Sequence, residues 1–135
     1  KTHKVRMTSD RRAMIRMIKA GALYARTNNN IVRLTINQPL GDMATLGTLT
    51  VSARSAEIGD FEETVDAKVE FLDGAHPEGY SASYNSKYLL DTLTAITTDE
   101  VTFQFTDSTR PAVIFAEPLP NSTDIDIVMP MHPPK

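Results

Sequence analysis

Two segments of this 135-residue chain repeat one order of elements: a strand, a helix that begins at a polar capping residue, and three more strands. In the first segment, Ser9 is placed to cap a helix, and residues 10–26 contain no proline. In the second, residues 80–84 alternate as a strand, and Asn85 or Ser86 is placed to cap a second helix. The repeat permits few folds, because each helix must bury its apolar face on a sheet made by its neighbours.

The other strands are predicted from alternating apolar and polar side chains, the pattern of a sheet with one buried face. They are residues 4–8, 31–36, 48–54, 61–71, 101–105, 112–116 and 125–129. The length suits one domain, assigned here to residues 1–135. We therefore predict an α+β fold, in which two helices pack on antiparallel sheets with an internal pseudo-symmetric β-α-β-β-β repeat.

The first predicted helix has two contrasting faces at 100° per residue. Its apolar face is formed by Met14, Ile15, Met17, Ile18, Gly21, Ala22 and Ala25. The opposite face is basic, with Leu23 lying among Arg12, Arg16, Lys19 and Arg26. A shorter apolar face of Tyr88, Leu89, Leu93 and Ile96 is predicted for the second helix.

The net charge of −3 conceals an uneven distribution. Residues 1–33 contain nine basic side chains and one acid, a net charge of +8. The remaining residues contain five basic side chains and sixteen acids, a net charge of −11. Such asymmetry within one small domain gives a hint about the partners of the protein.

Several classes are excluded by what the sequence lacks. It has no cysteine, so disulfides, thiolate nucleophiles and sulfur-ligated zinc are ruled out. No apolar run approaches about 20 residues and the start is not a signal peptide, so we predict a cytoplasmic protein with no membrane partner. The first residue is Lys1 rather than Met, which predicts that the chain belongs to a longer protein.

Three stretches carry a resemblance to a known family. Residues 85–93 read Asn-Ser-Lys-Tyr-Leu-Leu-Asp-Thr-Leu, residues 106–114 read Thr-Asp-Ser-Thr-Arg-Pro-Ala-Val-Ile, and residues 127–131 read Ile-Val-Met-Pro-Met. In order and spacing they resemble the C-terminal, third domain of the bacterial DNA sliding clamp, the beta subunit of DNA polymerase III. The weaker match of residues 31–34 supports this, and the resemblance covers essentially the whole chain.

The resemblance implies a DNA polymerase processivity factor. In this family, two three-domain subunits form a homodimeric ring around duplex DNA without reading its sequence. The replicative polymerase, the clamp loader and repair proteins dock short peptide motifs on it. No catalytic residue, metal or cofactor is implied.

The resemblance also assigns candidate residues to three surfaces. DNA-facing positions are Arg12, Arg16 and Lys19, followed by Arg11 and Lys87. The subunit interface would use Leu23 and Tyr24 together with Phe61, Glu62 and Glu63 on an acidic edge strand. The peptide-binding pocket would be built from Asn85, Tyr88, Thr109, Pro111, Ile127, Val128, Met129, Pro130 and Met131.

Other interpretations stay open at this stage. The basic face could be a solvated helix surface, Leu23 a single exposed leucine, Asn85 a helix cap, and Ile127 an ordinary core residue. A free-standing interaction module could use the same fold without encircling DNA. A hydrolase is disfavoured, because three isolated histidines lack metal-ligand spacing and Glu62 and Glu63 point to opposite faces of a strand.

Overall fold

The computed structural model describes residues 5–37, 46–71, 80–106, 112–117 and 125–128. Within these ranges the order of elements is the predicted one, with each helix between one preceding strand and three following strands. The elements are β1 (Val5–Asp10), α1 (Arg11–Ala25), β2 (Ile31–Asn37), β3 (Leu46–Ser55), β4 (Gly59–Phe71), β5 (Tyr80–Asn85), α2 (Ser86–Ala95), β6 (Glu100–Phe105), β7 (Ala112–Glu117) and β8 (Ile125–Val128).

The strands form one antiparallel sheet in the order β5-β2-β3-β4-β1-β6-β7-β8. The first strand of each half joins the other half: β1 pairs with β6 as well as with β4, and β5 pairs with β2. Met7 of β1 therefore lies opposite both Val69 and Phe103. This exchange confirms the predicted repeat and binds its two copies into one structure.

The helix starts are related by the same pseudo-symmetry. The first amide of α1, on Arg11, donates to the carbonyl of Asp99 just before β6, at 2.9 Å. The first amide of α2, on Ser86, donates to the carbonyl of Asn30 just before β2, at 2.8 Å. Each helix thus satisfies one of its unpaired amides with the chain that enters a strand of the other half.

Of the two residues predicted to cap α2, Asn85 is the cap, whereas the cap of α1 is shifted by one residue. Asn85 accepts a hydrogen bond from the Lys87 amide at 2.9 Å. Asp10, not the predicted Ser9, accepts from the Ala13 amide at 2.8 Å. Pairing with β6 holds Ser9 and Asp10 extended in the sheet, so the helix begins one residue later than the sequence predicts.

The core lies between the helices and the face of the sheet that they cover. From α1, Met14, Met17 and Ile18 are fully buried, with Ile15 and Ala22 half-buried at the margin. Leu89 and Leu93 of α2 are fully buried, and Ile96 is buried just after that helix ends. The prediction that Tyr88 belongs to this face is wrong. Tyr88 lies about 100° around the helix from Leu89 and is 61% exposed.

An aromatic group fills the part of the core beneath β5 and β6. The ring of Phe105 lies 4.9 Å from that of Tyr80 and 6.3 Å from that of Tyr84, measured between centroids. Tyr84 is fully buried. Burial raises the pKa of the Tyr84 hydroxyl above its ordinary value, and the neighbouring Tyr80 raises it further.

Candidate functional site

The basic face of α1, defined as Arg12, Arg16 and Lys19 together with Arg26 at the C-cap just after the helix, is exposed along its whole length. A spacing of four and three residues keeps the first three side chains within about 60° around the helix. The helix contains no acidic residue to neutralise them. The opposite face is anchored by packing on the sheet, so the cations are held on a fixed surface and point to solvent.

Arg11 differs from the rest of the predicted DNA-facing set. It is half-buried, and its Nε and Nη1 donate to the carbonyls of Thr98 at 2.7 Å and Leu93 at 3.0 Å. These carbonyls lie in and just after the last turn of α2, where backbone acceptors lack helical partners. Arg11 therefore joins the two halves, whereas Lys87 is exposed in the first turn of α2.

An aromatic pair stands at the other end of α1. The ring of Tyr24 packs against that of Phe61 on β4, with centroids 5.4 Å apart. Gly21 permits this approach, because a Cβ at that position would lie 3.3 Å from Phe61 Cδ2. Beside the pair, Leu23 is 55% exposed within the basic face. The structure thus brings three of the predicted interface residues to one end of the helix.

Glu62 and Glu63 lie on opposite faces of β4. Glu62 faces away from the helices and is exposed. Glu63 is half-buried on the helix side, where its Oε2 lies 4.0 Å from Nη2 of Arg16. The predicted acidic edge therefore divides into one carboxylate on the outer face and one beside the basic face.

The expectation that these acids lie on an edge strand holds for only part of β4. In the sheet order β4 is internal, between β3 and β1. Its pairing with β1 spans only residues 68–71, from Lys68 opposite Thr8 to Phe71 opposite Val5. Within the described chain, residues 59–67 pair with β3 alone, so this stretch is a local edge.

The predicted peptide-binding residues fall into three groups. Asn85 and Tyr88 lie at the start of α2, one as its cap and the other exposed. The backbones of Ile127 and Val128 extend the sheet by pairing with Val113 and Ala112. The others, Thr109, Pro111, Met129, Pro130 and Met131, lie outside the described residues.

Two surface features were not predicted from the sequence. One is Ile58, 61% exposed in the turn between β3 and β4. The other is a polar depression of about 660 Å³ on the outer face of the sheet, lined in part by Arg33, Ser52 and Glu62, which lie side by side on neighbouring strands. Alternation marks these side chains as outward-facing, but only the strand register shows that they are neighbours.

The described residues contain no group of three or more acidic or histidine side chains placed to hold a metal ion. In the same part of the chain, no helix has the length and apolar character needed to cross a membrane.

Comparison with known proteins identifies a family for the chain. Residues 1–132 match the model of the DNA polymerase III beta subunit, C-terminal domain. The "Beta sliding clamp" of Staphylococcus aureus is 26% identical over 131 residues, covering 96% of this chain and 31% of that protein. The chain thus spans about a third of the length of this relative.

Solved structures agree with this match. The DNA polymerase III subunit beta of Pseudomonas aeruginosa superposes with a TM-score of 0.77 at 25% identity, covering 97% of this chain and 31% of that one. The DNA polymerase sliding clamp of Bacillus subtilis gives a TM-score of 0.79 at 25% identity, with coverage of 98% and 31%. Because the family model matches residues 1–132 and the solved structures share the fold, the chain belongs to the family of the C-terminal domain of the DNA polymerase III beta subunit.

Proposed function

We propose that this chain acts as one domain of a ring-shaped DNA polymerase processivity factor with no catalytic activity of its own. The observation that carries the proposal is the basic face of α1, which is exposed and held rigidly on a sliding-clamp fold. Family membership supports the ring, and the uneven charge distribution indicates which side of the domain faces DNA. The basic helix would line the hole of the ring, and the acidic remainder of the chain would face outward.

The contact with duplex DNA in this proposal is electrostatic. Arg12, Arg16 and Lys19 are exposed cations on α1, and Lys87 is exposed in the first turn of α2, the helix that packs against α1. Phosphate contacts of this kind carry no sequence information, and counterion release supplies their favourable free energy. A clamp that slides requires such contacts, because base-specific hydrogen bonds would hold it at one site. Arg11 would not contact DNA, because its guanidinium is held by hydrogen bonds to carbonyls at the end of α2.

Ring closure would use the end of α1 and the local edge of β4. Leu23 would be buried against a second subunit, beside the Tyr24–Phe61 pair. Residues 59–67 leave backbone groups available for strand pairing across the joint, and Glu62 and Glu63 add negative charge there. We infer a homodimer in which this surface meets a different domain of the neighbouring subunit.

Partner proteins would dock at the start of α2 and the last strand. The described part of this surface consists of the exposed ring of Tyr88, the cap Asn85 and the backbones of Ile127 and Val128. A relative carries a ligand site, since the clamp of Pseudomonas aeruginosa has been solved bound to griselimycin. We propose that short peptide motifs of the polymerase, the clamp loader and repair proteins bind this region in the complete protein.

The DNA contact is tested by a triple variant of the full-length protein, Arg12→Ala, Arg16→Ala and Lys19→Ala. We expect weaker retention on circular duplex DNA. The slope of log affinity against log salt should fall by up to about 3, which corresponds to three lost phosphate contacts. Binding is measured over a series of salt concentrations.

The matched control is the triple variant Arg33→Ala, Arg54→Ala and Lys68→Ala. It removes the same charge from the face of the sheet opposite the helices, where all three side chains are exposed. Equal losses in the two triple variants would show that net charge alone matters and would defeat the assignment of α1 to the hole. A protein that forms no ring on DNA would favour the free-standing interaction module.

The joint is tested by Leu23→Asp in the full-length protein. A charge in place of the exposed leucine should oppose burial between subunits, so sedimentation should shift from dimer to monomer. Tyr88→Asp is the control, since Tyr88 is a similarly exposed large side chain on α2 that is not assigned to the joint. A dimer that withstands Leu23→Asp at concentrations down to the nanomolar range would contradict this interface.

A further inference from the structure

We propose that Glu63 is a positioning residue that controls how strongly Arg16 contacts DNA. This inference rests on the proposed function, because it assigns a regulator to the same basic face. Its basis is the position of Glu63 beside both candidate surfaces. It belongs to the local edge of β4, and its carboxylate also reaches the basic face of α1.

The geometry makes Arg16 different from the other cations of the basic face. Its Nη2 lies 4.0 Å from Glu63 Oε2, and both side chains keep substantial exposure, 64% for Arg16 and 41% for Glu63. Among the described residues, no acidic side chain forms an ion pair with Arg12 or Lys19. One of the three central cations therefore has a competing anion within the chain itself.

The exposure of this pair makes it weak enough to exchange. Surface ion pairs contribute little free energy, because water and salt screen them. Arg16 can leave Glu63 for a phosphate, but it loses the carboxylate in doing so, which reduces its net gain on DNA.

The test is a double-mutant cycle in the full-length protein, with Glu63→Gln, Arg16→Gln and the combination. We expect Glu63→Gln to raise the affinity for duplex DNA about two- to fivefold more in the parent protein than in the Arg16→Gln background. It should also steepen the slope of log affinity against log salt, by up to about 1. In the Arg16→Gln background, Glu63→Gln should give a markedly smaller gain. The cycle cancels any effect of Glu63 on ring stability that does not depend on Arg16.

Glu62→Gln is the matched control. It removes the same charge from the adjacent residue, whose side chain lies on the opposite face of β4 away from Arg16. We expect it to change retention less than Glu63→Gln does. Equal gains from the two variants, or an equal gain from Glu63→Gln with and without Arg16, would overturn the proposal.

Failure of the two proposals can be told apart. If Arg16→Gln weakens DNA retention but the cycle shows no coupling, the processivity function stands and the role of Glu63 is rejected. If neither Arg16→Gln nor salt changes retention, the DNA contact itself is rejected, and this inference fails with it.

Discussion

The two halves of the molecule, residues 5–71 and 80–128, share one arrangement of elements but expose different side chains. In each half the helix is capped and buries an apolar face, and the first strand pairs with a strand of the other half. The exposed faces diverge: α1 presents four cations and Leu23, whereas α2 presents one lysine, one aspartate and Tyr88. Packing constrains the covered faces of both helices alike. The exposed faces are free to differ, and the proposed functions are located there.

The halves also differ in how their helix ends are satisfied. After α1, Asn29 and Asn30 take left-handed conformations with φ of 58° and 62°, and the Asn30 amide returns to the carbonyl of Ala25. After α2, the chain is extended, and Arg11 from the first half supplies the donors. One end is closed by local backbone and the other by a long-range side chain. Three substitutions test this comparison and the buried polar groups that accompany it.

The largest effect is expected for Arg11→Met. It removes two charge-assisted hydrogen bonds to backbone carbonyls and should lower the free energy of unfolding by about 2–3 kcal/mol. Chemical denaturation measures this change. Arg12→Met is the control, because the neighbouring side chain is exposed and its loss should cost less than about 0.5 kcal/mol. Similar losses in the two variants would show that the end of α2 does not depend on Arg11.

A second prediction concerns Tyr84, which occupies the place in β5 that Ser9 holds in β1, one residue before the helix cap. Folding raises the pKa of the Tyr84 hydroxyl above its unfolded value of about 10. Below about pH 10 the hydroxyl is protonated in both states, so no stability is lost to its ionisation. As the pH rises beyond that value, the unfolded chain ionises first. Its contribution to stability should then fall by up to about 1.4 kcal/mol per pH unit.

Denaturation at several pH values between 8 and 11.5 measures this loss. Tyr84→Phe should flatten the alkaline decline relative to the parent chain, each compared with its own stability at pH 8. Tyr88→Phe, which removes a hydroxyl from the exposed surface of α2, provides the control. An unchanged decline in Tyr84→Phe would mean that another group causes alkaline unfolding.

The smallest effect is expected for Asn30→Ala. Alanine is disfavoured in the left-handed conformation, so the free energy of unfolding should fall by about 1 kcal/mol. Asn30→Gly should be close to neutral, because glycine adopts this conformation without a steric penalty and keeps the carbonyl that accepts from Ser86. Thermal or chemical denaturation of the pair separates backbone strain from loss of the side chain. Equal losses would point to the asparagine side chain instead.

The sequence predicted the elements well because their signals are local. Alternation marked the strands, and the spacing of Met14, Met17 and Ile18 marked the buried face of α1. The errors arose where tertiary pairing outweighed local preference. Ser9 is a good capping residue, but β6 keeps it in the sheet. Tyr88 is apolar enough for a core, but its angle around α2 leaves it exposed.

The candidate surfaces were predicted in part. Arg12, Arg16 and Lys19 could be identified as one face, because helical spacing alone brings them together. The roles of Arg11 and Glu63 could not, since each depends on a partner far away in the sequence: Arg11 on Leu93 and Thr98, Glu63 on Arg16. Strand geometry predicted that Glu62 and Glu63 lie on opposite faces of the sheet, but it did not predict which of the two lies on the helix side.

By itself, the sequence determined the order of elements, the basic face of α1 and the family resemblance, because these depend on residue type and short-range spacing. Only the tertiary structure decided that each half lends a strand to the other, that β4 has a local edge and that Arg11 completes the end of α2. The physical reason is that hydrogen bonds and ion pairs between distant segments depend on how the sheet brings those segments together. No local pattern in the chain specifies that arrangement.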